Sequence, residues 1–336
     1  MCIRDSFRTG MTIAMFSLII FSLTVMSVLQ SNFGALLAGK DAQATWDVVV
    51  QVNRNNPVDD LIQALQGSGK VDTSKIAAGG RTTNYDGVQQ VQQEGVAGAS
   101  FKTYTMNAGD DNFFGNTQAK LGARANGYTS DAQVWQAIKP GSGLAVITPD
   151  ALPSQGGFGS PNTDRFQLKS ISASAKTFAP IVLDVRNPVN GQMSQVTVIG
   201  ILSTKIPSFL LLGLYTDAQT FSNAFGQPQF YTDYLRLSAG TNGDTYAKAI
   251  EASLVTQGVQ AFGIRKQIDD SQALEVGIDR IFQGFMALGL LVGIAAIGVI
   301  GFRSVVERRQ QIGVLRAIGY QAGTVALSFI LESSFI

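Results

Sequence analysis

The sequence predicts membrane-spanning α-helices combined with an α+β extracytoplasmic domain. Three observations carry that prediction. No charged residue interrupts the chain between Arg8 and Lys40, and none lies within residues 281–302. The mean hydropathy of +0.15 is low for a chain that is membrane-embedded throughout, and it averages apolar ends against a polar middle. Arg303, Arg308, Arg309 and Arg316 crowd the end of the second apolar run, a clustering that marks the cytoplasmic side of a span.

Composition removes several function classes. The chain has 336 residues, a formal net charge of +1, one cysteine and no histidine. An intramolecular disulfide, a His-containing triad, a Cys/His pair and a Cys/His zinc site are therefore ruled out. No basic block gives nucleic acid an electrostatic footprint. A membrane-anchored enzyme would need a Ser–Lys or carboxylate mechanism, and no motif for either stands out. No catalytic residue, metal or cofactor is predicted.

Taken in order, residues 1–10 read as a leader and a cytoplasmic N-terminal stub, its first six residues unlike the rest of the chain. Residues 11–37 read as the first transmembrane helix, with Arg4 and Arg8 holding its start inside the cell. Ser17, Thr24, Ser27 and Ser31 fall on one stripe of that helix, where small polar residues support helix packing in lipid. A cleaved signal peptide is the alternative, but its apolar core is usually about 7–15 residues, shorter than this run. Residues 34–40 match the spacing of a phosphate-binding P-loop. Asp41 follows where Ser or Thr is needed and no buried strand precedes, so the match reads as coincidence.

Residues 38–279 form the polar middle. A strand is expected over residues 46–52 and a helix over 57–66, with Leu61, Ile62 and Leu65 on one face and Gly67 after it. Near the far end, residues 234–237 and 259–264 read as strands around a helix at 244–257 that carries Ala247, Ile250 and Leu254 inward and ends at Gly258. The matching patterns suggest one α/β part built from both ends, about 45–80 and 225–266. Between them the sequence is rich in Gly, Asn, Ser and Thr. A β-rich insertion is expected at about 150–222, with strands at 166–173, 181–185 and 195–202 and a turn at 186–191. Residues 154–162 read as a loop. Residues 209–214 are apolar and are expected in the core rather than on a ligand surface.

Residues 267–278 read as a helical stalk whose Asp269, Asp270, Glu275 and Asp279 make a solvated face rather than a metal site. The second transmembrane helix follows at 280–302. Its apolar run, 281–302, spans about 33 Å at the helical rise, enough for a hydrocarbon core of roughly 30 Å. Gly289 and Gly293 form a small-xxx-small step suited to close packing on another helix. Residues 303–320 form a short basic helix in which Arg308, Ile312, Leu315 and Gly319 share one stripe, with Val314 and Ile318 roughly opposite. Gly313 permits close backbone approach, and Gly319 sits where a left-handed C-cap is expected. Residues 321–336 read as a truncated third transmembrane helix, about 16 residues where roughly 20 are needed. Glu332 within it is expected to face a bundle interior.

Glu307-Arg308-Arg309, then Ile312-Gly313-Val314-Leu315-Arg316-Ala317-Ile318-Gly319, then Leu331-Glu332 in an apolar segment, resembles the FtsX-like (MacB-type) permease domain of ABC transporters. The resemblance covers about thirty residues, 303–332. It implies that 303–320 is the coupling helix, docking on a separate P-loop ATPase subunit through Glu307, Arg308, Arg309, Ile312, Leu315 and Arg316, with Gly313 and Gly319 at the close approaches. It implies a porter-like α/β part with a β-rich insertion, a second permease copy or repeat, and a multi-pass place in the cell membrane, in contact with lipid. Further spans would follow, which makes the chain a fragment of a longer permease. The implied mechanism is mechanotransmission: work by the ATPase moves the extracytoplasmic domain. A regulatory membrane protein of the same family, relaying a signal to a cell-wall hydrolase or a sensor partner, is the alternative.

Overall fold

The computed structural model describes residues 44–52, 55–84, 89–153, 166–169, 171–172, 174–226 and 230–334, together with residues 17, 20, 21, 24, 25, 27 and 28. The expected loop at 154–162 and the P-loop-like stretch at 34–40 lie outside these. Two compact units divide at Gln272/Ala273, and each is taken by itself.

The first unit is built on one sheet of thirteen strands. They are β1 Val48–Val52, β2 Ile76–Asn84, β3 Gln90–Gln93, β4 Lys102–Thr103, β5 Met106–Gly109, β6 Leu121–Ala125 and β7 Leu144–Ile147. β8 Thr177–Phe178, β9 Ile181–Arg186, β10 Met193–Leu202, β11 Leu214–Asp217, β12 Phe230–Leu237 and β13 Gln260–Gly263 complete it. The order is β13-β1-β12-β2-β5-β11-β7-β10-β9-β3-β4, with β6 joined to β10 and β8. Most pairs are antiparallel; β5–β11, β7–β10 and β6–β8 are parallel.

The two ends of this unit meet in the sheet. β1 pairs with both β12 and β13, Val48 lying opposite Leu235 on one side and Gly263 on the other. Val48, Val50 and Val52 point to one face because strand side chains alternate, and there they join helix α1 Leu61–Ser68 and the later helix α5 Gly243–Ser253 in a buried cluster with Leu65, Leu235 and Ile250. Fully burying Leu65 contributes about 1.5–3 kcal/mol. α1 begins at Leu61 and not at Pro57, because the Asp60 side chain accepts the Gln63 N–H and sets the N-cap there. It also runs through Gly67. The chain turns at Gly69, whose φ of 64° only glycine adopts freely.

A larger cluster centres on Phe113, which is fully buried in helix α2 Asp111–Asn116. Its ring stacks on Trp46 at 6.0 Å and Tyr215 at 5.9 Å, and meets Tyr234 at 5.3 Å. Helices α3 Asp131–Ala137 and α4 Ala218–Phe225 add Trp135 and Phe221 to the same cluster. Leu210, Leu211 and Leu214 are buried here too, so the apolar stretch at 209–214 is mainly core, with Phe209 and Leu212 left partly exposed.

Three expectations are corrected. The β structure is not confined to an insertion at 150–222: β2 to β7 precede it and share its sheet. Sequence reading missed β2 because it is Ile-Ala-Ala-Gly-Gly-Arg-Thr-Thr-Asn, poor in apolar β-branched residues; it is a strand because it pairs with β12 along its length. Gly80 belongs there since a Cβ would lie 2.4 Å from the Phe113 Cα. Second, the described residues within 166–173 form no strand. Phe166 and Leu168 are buried and alternate as a strand would. The amides here instead go to separate partners: Phe166 N–H to the Thr103 carbonyl at 3.4 Å, Leu168 N–H to the Ala151 carbonyl at 2.7 Å and Lys169 N–H to Gln93 Oε1 at 2.7 Å. Third, the helix expected at 244–257 closes at Ser253 and finishes as a 3₁₀ turn, Val255–Gln257.

Candidate functional site

The second unit carries the residues singled out from the sequence. Helix α6 runs unbroken from Ile264 to Glu307. Within it, residues 281–302 carry no charge, and Ile281, Phe285, Leu288, Leu291, Val292, Ile294, Val299 and Phe302 are all exposed. An exposed apolar surface this long has no stable place in water, so lipid or protein must cover it. One described helix is long and apolar enough to cross a membrane, and this is it. The stalk expected at 267–278 is the first part of the same helix, with Asp269 and Asp270 exposed and Lys266 pairing with Asp270. Gly289 is exposed with open space around it, while Gly293 is buried.

The helix breaks at Arg308, where φ is −98° and ψ is 13°. A shorter helix, α7 Arg309–Ala317, starts immediately, with the Ile312 N–H on the Arg308 carbonyl at 3.1 Å. The basic segment is therefore a helix of about two and a half turns set off from α6 by one residue. Ile312 is half-buried, whereas Val314 and Ile318 are widely exposed. On the helical wheel Arg309 and Arg316 lie together along one edge of the Ile312–Leu315 stripe, which gives that edge a cationic rim. Both arginines are exposed, as are Leu315 and Gly313. Glu307 closes α6 one residue before the break.

The end of α7 is closed by a Schellman turn. Gly319 N–H bonds the Arg316 carbonyl at 3.1 Å and Tyr320 N–H bonds the Leu315 carbonyl at 3.2 Å, with Gly319 at φ 101°. The expected glycine cap is present. Sequence reading placed the glycine but not the part of Tyr320, whose amide completes the turn. Helix α8 Ala322–Ser334 then begins, one residue later than expected, with Val325 buried and Glu332 within it; residues 335–336 lie outside the described residues. Ser17 and Thr24 are helical and exposed; the Thr24 hydroxyl donates to its own helix, to the Ile20 carbonyl at 2.8 Å.

In the sheet domain Arg81 on β2 belongs to a largely enclosed ion pair. It makes a bidentate pair with Asp233, Nε to Oδ1 at 2.7 Å and Nη2 to Oδ2 at 2.8 Å, and donates to the carbonyls of Val58 and Asp59. Burial holds the Asp233 carboxyl above the usual carboxylate range against the pull of Arg81. Burial also opposes charge on Arg81, but the Asp233 carboxylate outweighs it and raises the guanidinium. A cleft of about 740 Å³ opens beside the pair, and Asp60 and Asp110 line it. Both carboxylates are already engaged as helix caps, on Gln63 N–H and Phe113 N–H. Among the described residues no group of three or more acidic, His or Cys side chains is placed to hold a metal.

Residues 284–336 match the model of a protein family described as FtsX-like permease C-terminal, a span that takes in the end of α6, all of α7 and all of α8. No curated protein matches the chain.

Proposed function

We propose that this chain, whose C-terminal segment is that of an FtsX-like permease, is the membrane subunit of an ABC-type transporter. On this reading it couples ATP hydrolysis by a separate P-loop ATPase to movement of its own sheet domain, which stands outside the cell. The observation that carries the proposal is α7: a capped, exposed basic helix directly after an apolar helix, inside the matched segment. Arg308, Arg309, Ile312, Leu315 and Arg316 supply the docking face and Glu307 its edge, while Gly313 and Gly319 keep its backbone approachable. Gly289 and Gly293 serve packing of α6 against a second permease copy or repeat, and Ser17, Thr24 and Glu332 the packing of the other spans. The localisation proposed is a multi-pass place in the cell membrane.

The alternative is a relay: the same helix and the same ATPase, with the sheet domain acting on a cell-wall hydrolase or a sensor partner instead of a transported substrate. Both readings place the energy source at α7.

The test is co-purification of the full-length protein with a P-loop ATPase. Replacing Ile312 and Leu315 by Asp is expected to abolish the association and any stimulated ATPase activity, with the sheet domain still folded by circular dichroism. Association that survives both changes removes α7 as the docking element.

A further inference from the structure

Strand β13 ends at Gly263 and helix α6 starts at Ile264, with no residue between them. Three backbones meet at this point. Ile264 N–H bonds the Asp47 carbonyl at 2.9 Å, and Asp47 is tied to β12 twice: its N–H bonds the Leu235 carbonyl at 2.9 Å and its Oδ2 accepts the Leu237 N–H at 2.7 Å. The start of α5 lies against the same spot. A Cβ on Gly263 would fall 2.7 Å from the Asp244 amide nitrogen, and one on Gly243 would fall 2.9 Å from the Asp47 carbonyl oxygen. Neither position has room for a side chain. One helical turn on, Ile264 and Ile268 share a face and are buried in the same cluster as Trp46, Val49 and Tyr234.

We infer that the β13–α6 junction is a fixed joint, in which Gly243 and Gly263 let the backbones close and Ile264 and Ile268 root the helix in the core of the sheet domain. Hinges are loop or terminal residues with few contacts that absorb backbone rotation. Here the first residue of the helix is bonded to Asp47 and buried in the core, so the base of α6 moves with β1, β12 and β13 and does not swivel against them. The functional consequence rests on the permease reading above: displacement arriving along α6 is delivered to the sheet and is not lost at the junction.

Hydrogen exchange on the full chain in lipid nanodiscs tests the joint without any partner. The amides of Ile264, bonded to Asp47, and of Ile268, the first with an acceptor inside α6, are expected to exchange within about tenfold of those of β1, as members of one cooperative unit do. Exchange there faster than β1 by about a hundredfold or more would mark a hinge and overturn the inference. Ile268→Ala is expected to speed exchange at 264 and 268 by about tenfold or more, and Asp269→Ala, on the exposed face of the same turn, to leave it unchanged. No acceleration in Ile268→Ala also overturns the inference; if that variant does not fold, the unmodified chain still decides. Failure of the permease reading shows elsewhere, as ATPase association indifferent to Ile312 and Leu315, with the exchange pattern at 264 and 268 intact.

Discussion

Single side chains hold together parts of the sheet domain that are distant in sequence. Arg81 grips Asp233 in β12 and the carbonyls ahead of α1, and its guanidinium lies 5.0 Å from the centre of the Tyr231 ring. Nothing in the chain near Arg81 announces an acidic partner in β12, and the pairing became visible only with the β2–β12 register, which sets Arg81 opposite Asp233. Tyr234, one residue on, is buried, and burial pushes its phenol up to about 12 from an ordinary 10.0. The sign follows from linkage: the unfolded phenol ionises near 10 while the folded one holds its proton, so this contribution to stability is complete below pH 10 and is lost as pH rises through 12. Alkaline unfolding followed by circular dichroism should therefore be less steep across that window in Tyr234→Phe. A phenolate absorbance titration midpoint near 10 for Tyr234 in the folded domain would sink the assignment.

At the scale of elements, the legible ones were those whose signals are local. α1 and α5 carry apolar residues at helical spacing and polar caps, and β9 and β10 are rich in β-branched residues around an Asn-Pro-Val-Asn-Gly turn. α7 was legible down to its glycine. The misses were elements whose existence depends on a neighbour: β2 on its pairing with β12, and α2 on the room that Gly80 leaves for Phe113. The false strand at 166–173 is the converse, a good alternating pattern whose described amides scatter to the Thr103 and Ala151 carbonyls and the Gln93 side chain instead of to one strand. α7 also gives a prediction of its own. Gly319→Ala forces a Cβ into a φ of 101°, costing about 1–2 kcal/mol, and should speed hydrogen exchange at the amides of residues 319 and 320 by about tenfold. Unchanged exchange would mean that the Schellman turn contributes nothing to ending the helix.

For the whole molecule, the permease reading makes a prediction about sidedness. Val189, 85% exposed on the β9–β10 turn, and Arg309 on α7 are assigned to opposite faces of the membrane. With Cys2→Ser as background, Val189→Cys should react with a membrane-impermeant maleimide in intact cells, and Arg309→Cys only after the membrane is opened. Labelling of both from outside would leave α7 out of reach of any ATP-driven partner.

The order of strands has a further consequence for how such a chain is made. β1 can find neither of its partners until the chain has reached Phe230, some 180 residues later. At roughly 5–20 residues per second, that leaves the backbone of β1 without its ladder partners for on the order of ten to forty seconds of synthesis. Residues that end as the seam of the sheet thus begin as its most vulnerable stretch, open to proteases and to strands of other chains. Quality control should therefore act on this protein before β12 emerges, and only rarely after.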